Sequence, residues 1–178
     1  MLMLYVSMID SPDEKSKFEK IYLAHRQTRY YAAFSILKDS YEAEDAVHQA
    51  FLKIIGHLEK INEEDCHKTR AYLVIITQNE AIDIYRKRKK AQAVPYDEIE
   101  SFTAGSLDSD PEEKDAILRA IHKLPVHYSA VLRLRYSHGH TDSEIAALLN
   151  ISQENVRSRI SRAKKKLKQL LEREGVLI

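Results

Sequence analysis

Two clusters of basic side chains give this sequence its most distinctive chemistry. The first is Arg86-Lys87-Arg88-Lys89-Lys90, and the second is the stretch 157–168, with seven basic side chains and no acidic one. Arginine and lysine bind phosphate oxygens, and arginine also donates paired hydrogen bonds to the edge of a guanine. The two clusters therefore indicate nucleic-acid binding. For a charge run considered by itself, a solvated helix face is the alternative.

Acidic segments alternate with these basic clusters, so the chain as a whole is nearly neutral. Its 178 residues include 28 basic and 27 acidic side chains, for a formal net charge of +1. Residues 39–65 hold eight acids against two lysines, and residues 91–115 hold eight acids against one lysine. A uniformly basic coat is excluded, but local basic stripes suffice for DNA binding.

Enzyme chemistry and cofactor binding have little support in the residue types present. Only four glycines occur, which argues against a glycine-rich phosphate loop, and the single cysteine, Cys66, excludes a disulfide or a cysteine-cluster zinc site. Cys66-His67 has no further ligand at metal spacing, and the carboxylate–histidine pair Asp45 and His48 has no second copy. We therefore expect no catalytic residue, no metal and no cofactor.

The apolar segments of the chain predict no membrane insertion. No apolar run is long enough to cross a bilayer, and the apolar residues 1–9 lack the basic leader of a signal peptide. One cysteine suits a reducing compartment. We expect a cytoplasmic protein.

Capping residues and apolar periodicity predict helices throughout and no strand. Ser11-Pro12-Asp13-Glu14 starts a first helix, Asp39 starts a second, and a third is expected over about residues 69–90. Beyond the second acidic segment, Asp110-Pro111-Glu112-Glu113 starts a fourth helix, and Pro125 separates it from a fifth. The pattern predicts an all-α fold.

The last part of the chain has the spacing of a helix-turn-helix motif. Thr141-Asp142-Ser143-Glu144 starts a short helix, residues 150–153 form a turn, and Ser152 caps a long helix over about residues 153–172. The second helix of such a motif enters the major groove of DNA. Glu154 and the basic side chains of this helix are the candidates for contact with DNA.

A helical wheel separates an inward side of this last helix from an outward side. At about 100° per residue, one apolar stripe is formed by Val156, Ile160, Ala163 and Leu167. The outward side carries the candidate DNA-binding residues Arg157, Ser158, Ser161, Arg162 and Lys165. Arg159 lies about 60° from the apolar stripe and is a candidate for a phosphate or for an acid of the protein itself.

The second acidic segment divides the chain into two predicted helical domains. It contains Pro95, Gly105, Pro111 and four serines or threonines, which are typical of a flexible linker. We predict an N-terminal bundle of three or four helices over residues 1–90, a flexible acidic linker over residues 91–110 and a helix-turn-helix domain over residues 111–178.

Short motifs in both halves follow one another in a specific order. Residues 141–149, then 156–160, resemble the −35-element-binding motif of bacterial sigma factors. Residues 36–54 resemble their polymerase-binding helix, and residues 79–89 resemble the helix that recognises and opens the −10 element. Two helical domains and nothing larger is the layout of the extracytoplasmic-function (ECF) group, which the chain resembles over roughly residues 15–172.

The resemblance implies a DNA-recognition subunit that is not an enzyme. It would bind core RNA polymerase, recognise the −35 and −10 elements of promoter DNA and promote strand opening, with an anti-sigma protein as a further partner. The polymerase-binding candidates are the polar side chains Asp39, Glu42, Glu44, Asp45 and Gln49. The alternative for these acids is a favourable interaction with the dipole of their helix.

For the −10 element, the resemblance implies a pocket that holds an unstacked base. Asn79 would pair with an exposed base edge and Tyr72 would offer a stacking face, although an apolar core contact is the alternative for Tyr72. Phosphates would be bound by Arg86, Lys87, Arg88 and Lys89. In the same group, the acidic linker would pass through a basic polymerase channel, with a solvated spacer as its alternative.

Two other functions remain open from the residues alone. One is a helix-turn-helix transcriptional regulator with an N-terminal sensor or dimerisation domain, which would have no reason to carry the motifs between Asp39 and Lys90. The other is a helical carboxylate or metal hydrolase, which would need a second ligand set or a nucleophile motif.

Overall fold

The chain is helical throughout the part that a computed structural model describes, which is residues 2–61, 66–91 and 116–175. These residues form eight α-helices and no strand, which confirms the predicted all-α fold. The helices are α1 Leu2–Ser7, α2 Pro12–Leu37, α3 Ser40–Ile55, α4 Cys66–Ala91, α5 Ala116–Lys123, α6 Val126–Leu132, α7 Asp142–Leu149 and α8 Gln153–Arg173. A 3-10 turn at Leu58–Lys60 follows α3, and a π-helical turn at Arg133–Ser137 continues α6.

Two compact units make up the chain, Met1–Ala93 and Val94–Ile178. The first contains α1 to α4 and the second contains α5 to α8, so the prediction of two small helical domains is confirmed. The predicted linker beyond Ala91 and the predicted helix start at Asp110-Pro111-Glu112-Glu113 lie outside the described residues. Within the described ranges, no helix is both long enough and apolar enough to cross a membrane.

The two predicted caps near the N-terminus fix where α2 and α3 begin. Ser11 Oγ accepts a hydrogen bond from the Glu14 backbone N–H at 3.5 Å, and Asp39 Oδ1 accepts one from the Glu42 N–H at 2.9 Å. Between the two helices, Lys38 adopts a left-handed conformation with φ of 55° and ends α2. Only two residues therefore connect α2 to α3, so these helices form a tight corner.

The core of the first unit lies between the apolar sides of α2, α3 and α4, which pack against one another. Its fully covered side chains include Phe18, Phe51, Ile54, Leu73 and Ile76. Each contributes about 1.5–3 kcal/mol through removal of apolar surface from water. The apolar side of α3 faces this core, whereas Ile84 of α4 is half-buried.

Helix α1 was not predicted from the sequence, and it closes one side of the core. Tyr5 is buried, and its ring centre lies 5.6 Å from that of Phe18 and 5.4 Å from that of Phe51. A six-residue helix is unstable by itself because nucleation is costly. The helix therefore depends on the burial of Tyr5 and on the burial of Ile9, two residues beyond the end of the helix.

A charged side chain occupies the centre of this core. Arg29 of α2 is 0% exposed; its Nε donates to Thr77 Oγ1 at 3.0 Å, and its guanidinium carbon lies 3.5 Å from the ring centre of Phe51. The two terminal nitrogens have no hydrogen-bond partner in the described structure. Burial lowers the pKa of Arg29 to about 9. The guanidinium therefore carries a desolvation cost that its stacking on Phe51 offsets only in part.

We predict that the bulk of Arg29 stabilises the core more than its charge does. Arg29→Met keeps the volume and removes the desolvation cost, so its free energy of unfolding should equal or exceed that of the wild type. Arg29→Ala leaves a cavity and should lower it by about 3 kcal/mol. Urea unfolding followed by circular dichroism measures both variants. Equal losses in the two would show that the contacts of the guanidinium with Thr77 and Phe51 hold the core.

In the second unit, a capping box and a left-handed turn form the predicted helix-turn-helix motif. Thr141 Oγ1 accepts from the Glu144 N–H at 3.3 Å, and the Glu144 carboxylate accepts from the Thr141 N–H at 2.8 Å. Asn150 ends α7 with φ of 52°, and Ser152 caps α8 by accepting from the Asn155 N–H at 3.1 Å. Three local hydrogen-bond patterns thus set the angle between the two helices of the motif.

The inward side of α8 agrees with the helical wheel. Val156 and Ala163 are fully buried, and Ile160 and Leu167 of the same stripe are half-buried. Near the end of the helix, Leu171 is buried as well. Since α8 packs on α5, α6 and α7, this stripe fixes the rotation of the helix about its own axis.

Candidate functional site

The outward side of α8 presents basic and hydroxyl side chains to solvent. Arg157, Ser161, Arg162 and Lys165 are exposed, while Ser158 and Arg159 are half-buried. Because the buried stripe occupies the opposite side, the exposed residues share one continuous face. Guanidinium and ammonium groups on such a face bind phosphates and base edges.

Two lysines that flank this face cover aromatic rings of the same unit. Lys164 Nζ lies 5.1 Å from the ring centre of Tyr136, and Lys166 Nζ lies 5.1 Å from that of Tyr128. Cation–π contacts of this length are weakly favourable at exposed sites. Lys166 is half-buried beside its ring, whereas Lys164 stays exposed, as Lys165 does.

Arg157 is held at its base by an acid of the neighbouring helix. Its Nε donates to Asp142 Oδ2 at 3.2 Å, although 68% of the Arg157 side chain remains exposed. The other oxygen, Asp142 Oδ1, lies 3.2 Å from Arg135 Nη2, and Arg135 Nη1 donates to the His140 carbonyl oxygen at 3.2 Å. Sequence reasoning identified Asp142 only as part of a helix start and gave no role to Arg135, because neither contact follows a helical spacing.

The basic end of α4 is less uniform than its sequence suggests. Lys87 is exposed, Arg86 lies 3.6 Å from Asp83, and Lys89 Nζ lies 5.5 Å from the ring centre of Tyr85. Burial raises the pKa of Asp83, and the nearby Arg86 cation opposes this rise. Of the cations in this cluster, Lys87 and Lys90 are therefore the ones most available to a phosphate.

Arg88 connects α4 to the corner between α2 and α3. Its Nη1 lies 2.5 Å from Glu42 Oε2, and both terminal nitrogens donate to the Leu37 carbonyl oxygen at 3.4 Å. Sequence reasoning assigned Arg88 to phosphate binding and Glu42 to polymerase binding. The structure pairs them with each other, since the last carbonyl of α2 and the Glu42 carboxylate together form an anionic site for the guanidinium.

Tyr72 and Asn79 lie in the interior of the first unit and not at its surface. Each is only 3% exposed, because the middle of α4 packs against both α2 and α3. The burial of Tyr72 agrees with the alternative of a core contact for this side chain. Recognition of an unstacked base by Tyr72 and Asn79 stays a prediction.

The candidate polymerase-binding residues line the exposed side of α3. Glu44, Asp45 and Gln49 are exposed, and Asp39 is exposed while capping the helix. Sequence reasoning missed Tyr41, which is 86% exposed in the same helix. Exposed aromatic side chains beside polar groups are enriched in protein–protein interfaces.

An aromatic cavity of about 250 Å³ adjoins this side of α3. Glu44 and His48 of α3 line it together with Tyr22 of α2 and Tyr5 of α1. The Tyr5 hydroxyl lies 2.6 Å from His48 Nδ1, and burial raises the pKa of Tyr5. His48 is thus engaged with α1, and its sequence spacing from Asp45 has no metal-binding counterpart among the described residues.

The side chains of Cys66 and His67 lie outside the described residues. Elsewhere in the described ranges, no three His, Cys, Asp or Glu side chains are close enough together to hold a metal ion.

Comparison with known proteins finds both regions of one family in the chain. Residues 21–91 match sigma-70 region 2, and residues 114–167 match sigma-70, region 4. The first match covers α4 and most of α2 together with α3, and the second covers the helix-turn-helix motif and most of α8.

Individual relatives extend the match over most of the chain. It is 30% identical to RNA polymerase sigma factor SigZ of Bacillus subtilis, over 86% of this chain and 80% of that protein. It is 28% identical to ECF RNA polymerase sigma factor SigM of the same organism, over 87% of this chain and 95% of that protein. The solved structure of the sigma factor RpoE in complex with the anti-sigma factor NepR from Bartonella quintana is 21% identical, with a TM-score of 0.41, and covers 87% of this chain and 96% of that chain. With regions 2 and 4 in order and a relative at 30% identity matched over four-fifths of its length, the chain belongs to the extracytoplasmic-function group of bacterial RNA polymerase sigma factors.

Proposed function

We propose that this chain directs core RNA polymerase to promoters by placing the outward face of α8 in the major groove of the −35 element. The exposed row of Arg157, Ser161, Arg162 and Lys165, opposite a buried stripe, is the observation that supports this role. In a helix-turn-helix motif the second helix docks in the major groove, and α8 is the second helix of the motif that α7 and α8 form. Phosphodiester chemistry belongs to the polymerase core, so the chain contributes sequence selection and needs no catalytic group.

In this proposal, the first unit binds core polymerase and the −10 element. Glu44, Asp45 and Gln49 dock on the polymerase, and the basic end of α4 binds phosphates of the −10 region. Residues 1–90 and 111–178 act as the two binding domains, with residues 91–110 as the connection. The protein then acts in the cytoplasm, with an anti-sigma protein, the usual partner in this group, as its regulator.

A regulator that binds DNA alone is the second candidate from the sequence. Such a protein has no use for an exposed acidic and aromatic side on α3 next to a basic helix end, and both sigma-70 regions match this chain. The sigma-factor function therefore accounts for both units, whereas the regulator accounts only for the second.

Run-off transcription tests the proposal directly. Purified chain plus core RNA polymerase and fragmented genomic DNA of the source organism should give transcripts that begin at defined positions, and sequencing of their 5′ ends identifies the promoters. Core polymerase without the chain is the control. Failure of the chain to bind core polymerase would overturn the proposal, and tight sequence-specific binding as a dimer without polymerase would favour the regulator.

Lys87 and Arg88 are adjacent and form a matched pair for testing the basic end of α4. Lys87→Gln removes an exposed cation, so the slope of log affinity against log salt should decrease by about 1 while stability is unchanged. Arg88→Gln breaks the contacts with Glu42 and Leu37 and should lower the free energy of unfolding by about 1 kcal/mol. Salt titration of promoter binding and thermal unfolding distinguish the two. The reverse pattern would mean that Arg88 contacts DNA and Lys87 does not.

Arg157→Ala should weaken promoter recognition and leave polymerase binding intact. Loss of a paired contact with a base edge costs about 1–3 kcal/mol of discrimination, so the preference for the −35 element should decrease by about tenfold or more. Arg173→Ala, an exposed arginine at the end of α8, is the matched control and should bind as the wild type does. Promoter binding of the reconstituted holoenzyme and a core-binding assay provide the two measurements. Equal loss of both activities would indicate misfolding of the second unit.

A further inference from the structure

Asp142 joins arginines from two other parts of the second unit. It is the first residue of α7, and its carboxylate contacts Arg157 of α8 through Oδ2 and Arg135 of the π-helical turn through Oδ1, each at 3.2 Å. We propose that Asp142 is a positioning residue that holds the guanidinium of Arg157 in the orientation that recognises a base pair of the −35 element. This inference rests on the proposed function.

The contact leaves the recognition groups of Arg157 available. Only Nε donates to Asp142, so both terminal nitrogens, which form the fork that pairs with a guanine, keep their donors. The side chain is also 68% exposed. A guanidinium held at Nε loses less side-chain freedom on binding DNA than one that moves freely, which increases affinity for the correct base.

Asp142 is itself held in place. Its side chain is only 19% exposed, and Arg135, which pairs with it, also donates to the carbonyl oxygen of His140 in the preceding turn. The chain of contacts therefore runs from the backbone before α7 through two side chains to Arg157. Partly exposed ion pairs contribute little to folding stability, so the principal effect of this chain of contacts is on orientation.

Electrostatic repulsion and positioning predict opposite effects on DNA binding when the carboxylate of Asp142 is removed. An acid beside a DNA-binding face repels phosphates, so its neutralisation should tighten binding to DNA of any sequence. Positioning predicts that the same change weakens binding to the preferred sequence. The sign of the change in sequence preference therefore separates the two effects.

The experiment uses the full chain assembled with core polymerase. Wild-type and Asp142→Asn holoenzymes select from a pool of duplexes randomised across the −35 region, and sequencing gives the preference at each base pair. We expect Asp142→Asn to reduce the preference at the position contacted by Arg157 by about tenfold, with non-specific binding equal or tighter. Glu172→Gln removes an exposed acid from the far end of α8 and should leave the preference unchanged.

Two further variants separate the positioning of Arg157 by Asp142 from an effect of the substitution on the fold of α7. Arg135→Gln removes the other partner of Asp142 without altering the capping box, and it should reduce the same preference by a smaller factor. In an Arg157→Ala background, Asp142→Asn should cause no additional loss, because the interaction that it positions is already absent.

Three outcomes decide the matter. Tighter and still specific binding by Asp142→Asn would show that Asp142 competes with DNA for Arg157, and would overturn the inference. Additive losses in the double variant would overturn it as well. A wild-type holoenzyme that enriches no sequence would instead refute the proposed function.

Discussion

The burial of one apolar stripe on α8 is the constraint on which the exposed basic face of the second unit depends. Val156 and Ala163 have no exposed surface, so rotation of the helix by one residue position would move an arginine into the core and an apolar side chain into water. The stripe therefore determines which cations face outward. The contacts of Lys164 with Tyr136 and of Lys166 with Tyr128, at the two edges of the exposed face, add weakly to this choice.

In the first unit, polar residues are distributed between the core and the surface in a different way. Helices α2 and α3 bury the middle of α4 from both sides, and this places Tyr72 and Asn79 inside along with Arg29. Helix α4 exposes Lys87 and Lys90 in its last turns, where their charge also suits the carbonyl end of the helix dipole. The unit thus carries a basic cluster at a helix end, whereas the second unit carries one along a helix side.

Features that local chemistry determines were predictable from the sequence. Ser11, Asp39, Thr141 and Ser152 all cap helices as expected, since a cap bonds to a backbone group within three residues of itself. Long-range pairs were not predictable. Arg88 and Glu42 are 46 residues apart in sequence, and Arg157 and Asp142 are 15 apart, so no periodic pattern indicates that they meet. The same holds for the contacts of Arg29 with Phe51 and Thr77, since both partners belong to other helices.

The ion pair between Glu42 and Arg88 has a consequence for how this unit can change during evolution. One member belongs to the acidic side of α3 and the other to the basic end of α4, so a mutation at either position alters two neighbouring surfaces together. Exchange of the two charges would keep the ion pair but would place a carboxylate against the Leu37 carbonyl oxygen, to which Arg88 donates. Positions 42 and 88 are therefore expected to vary jointly, or not at all, across descendants of this chain.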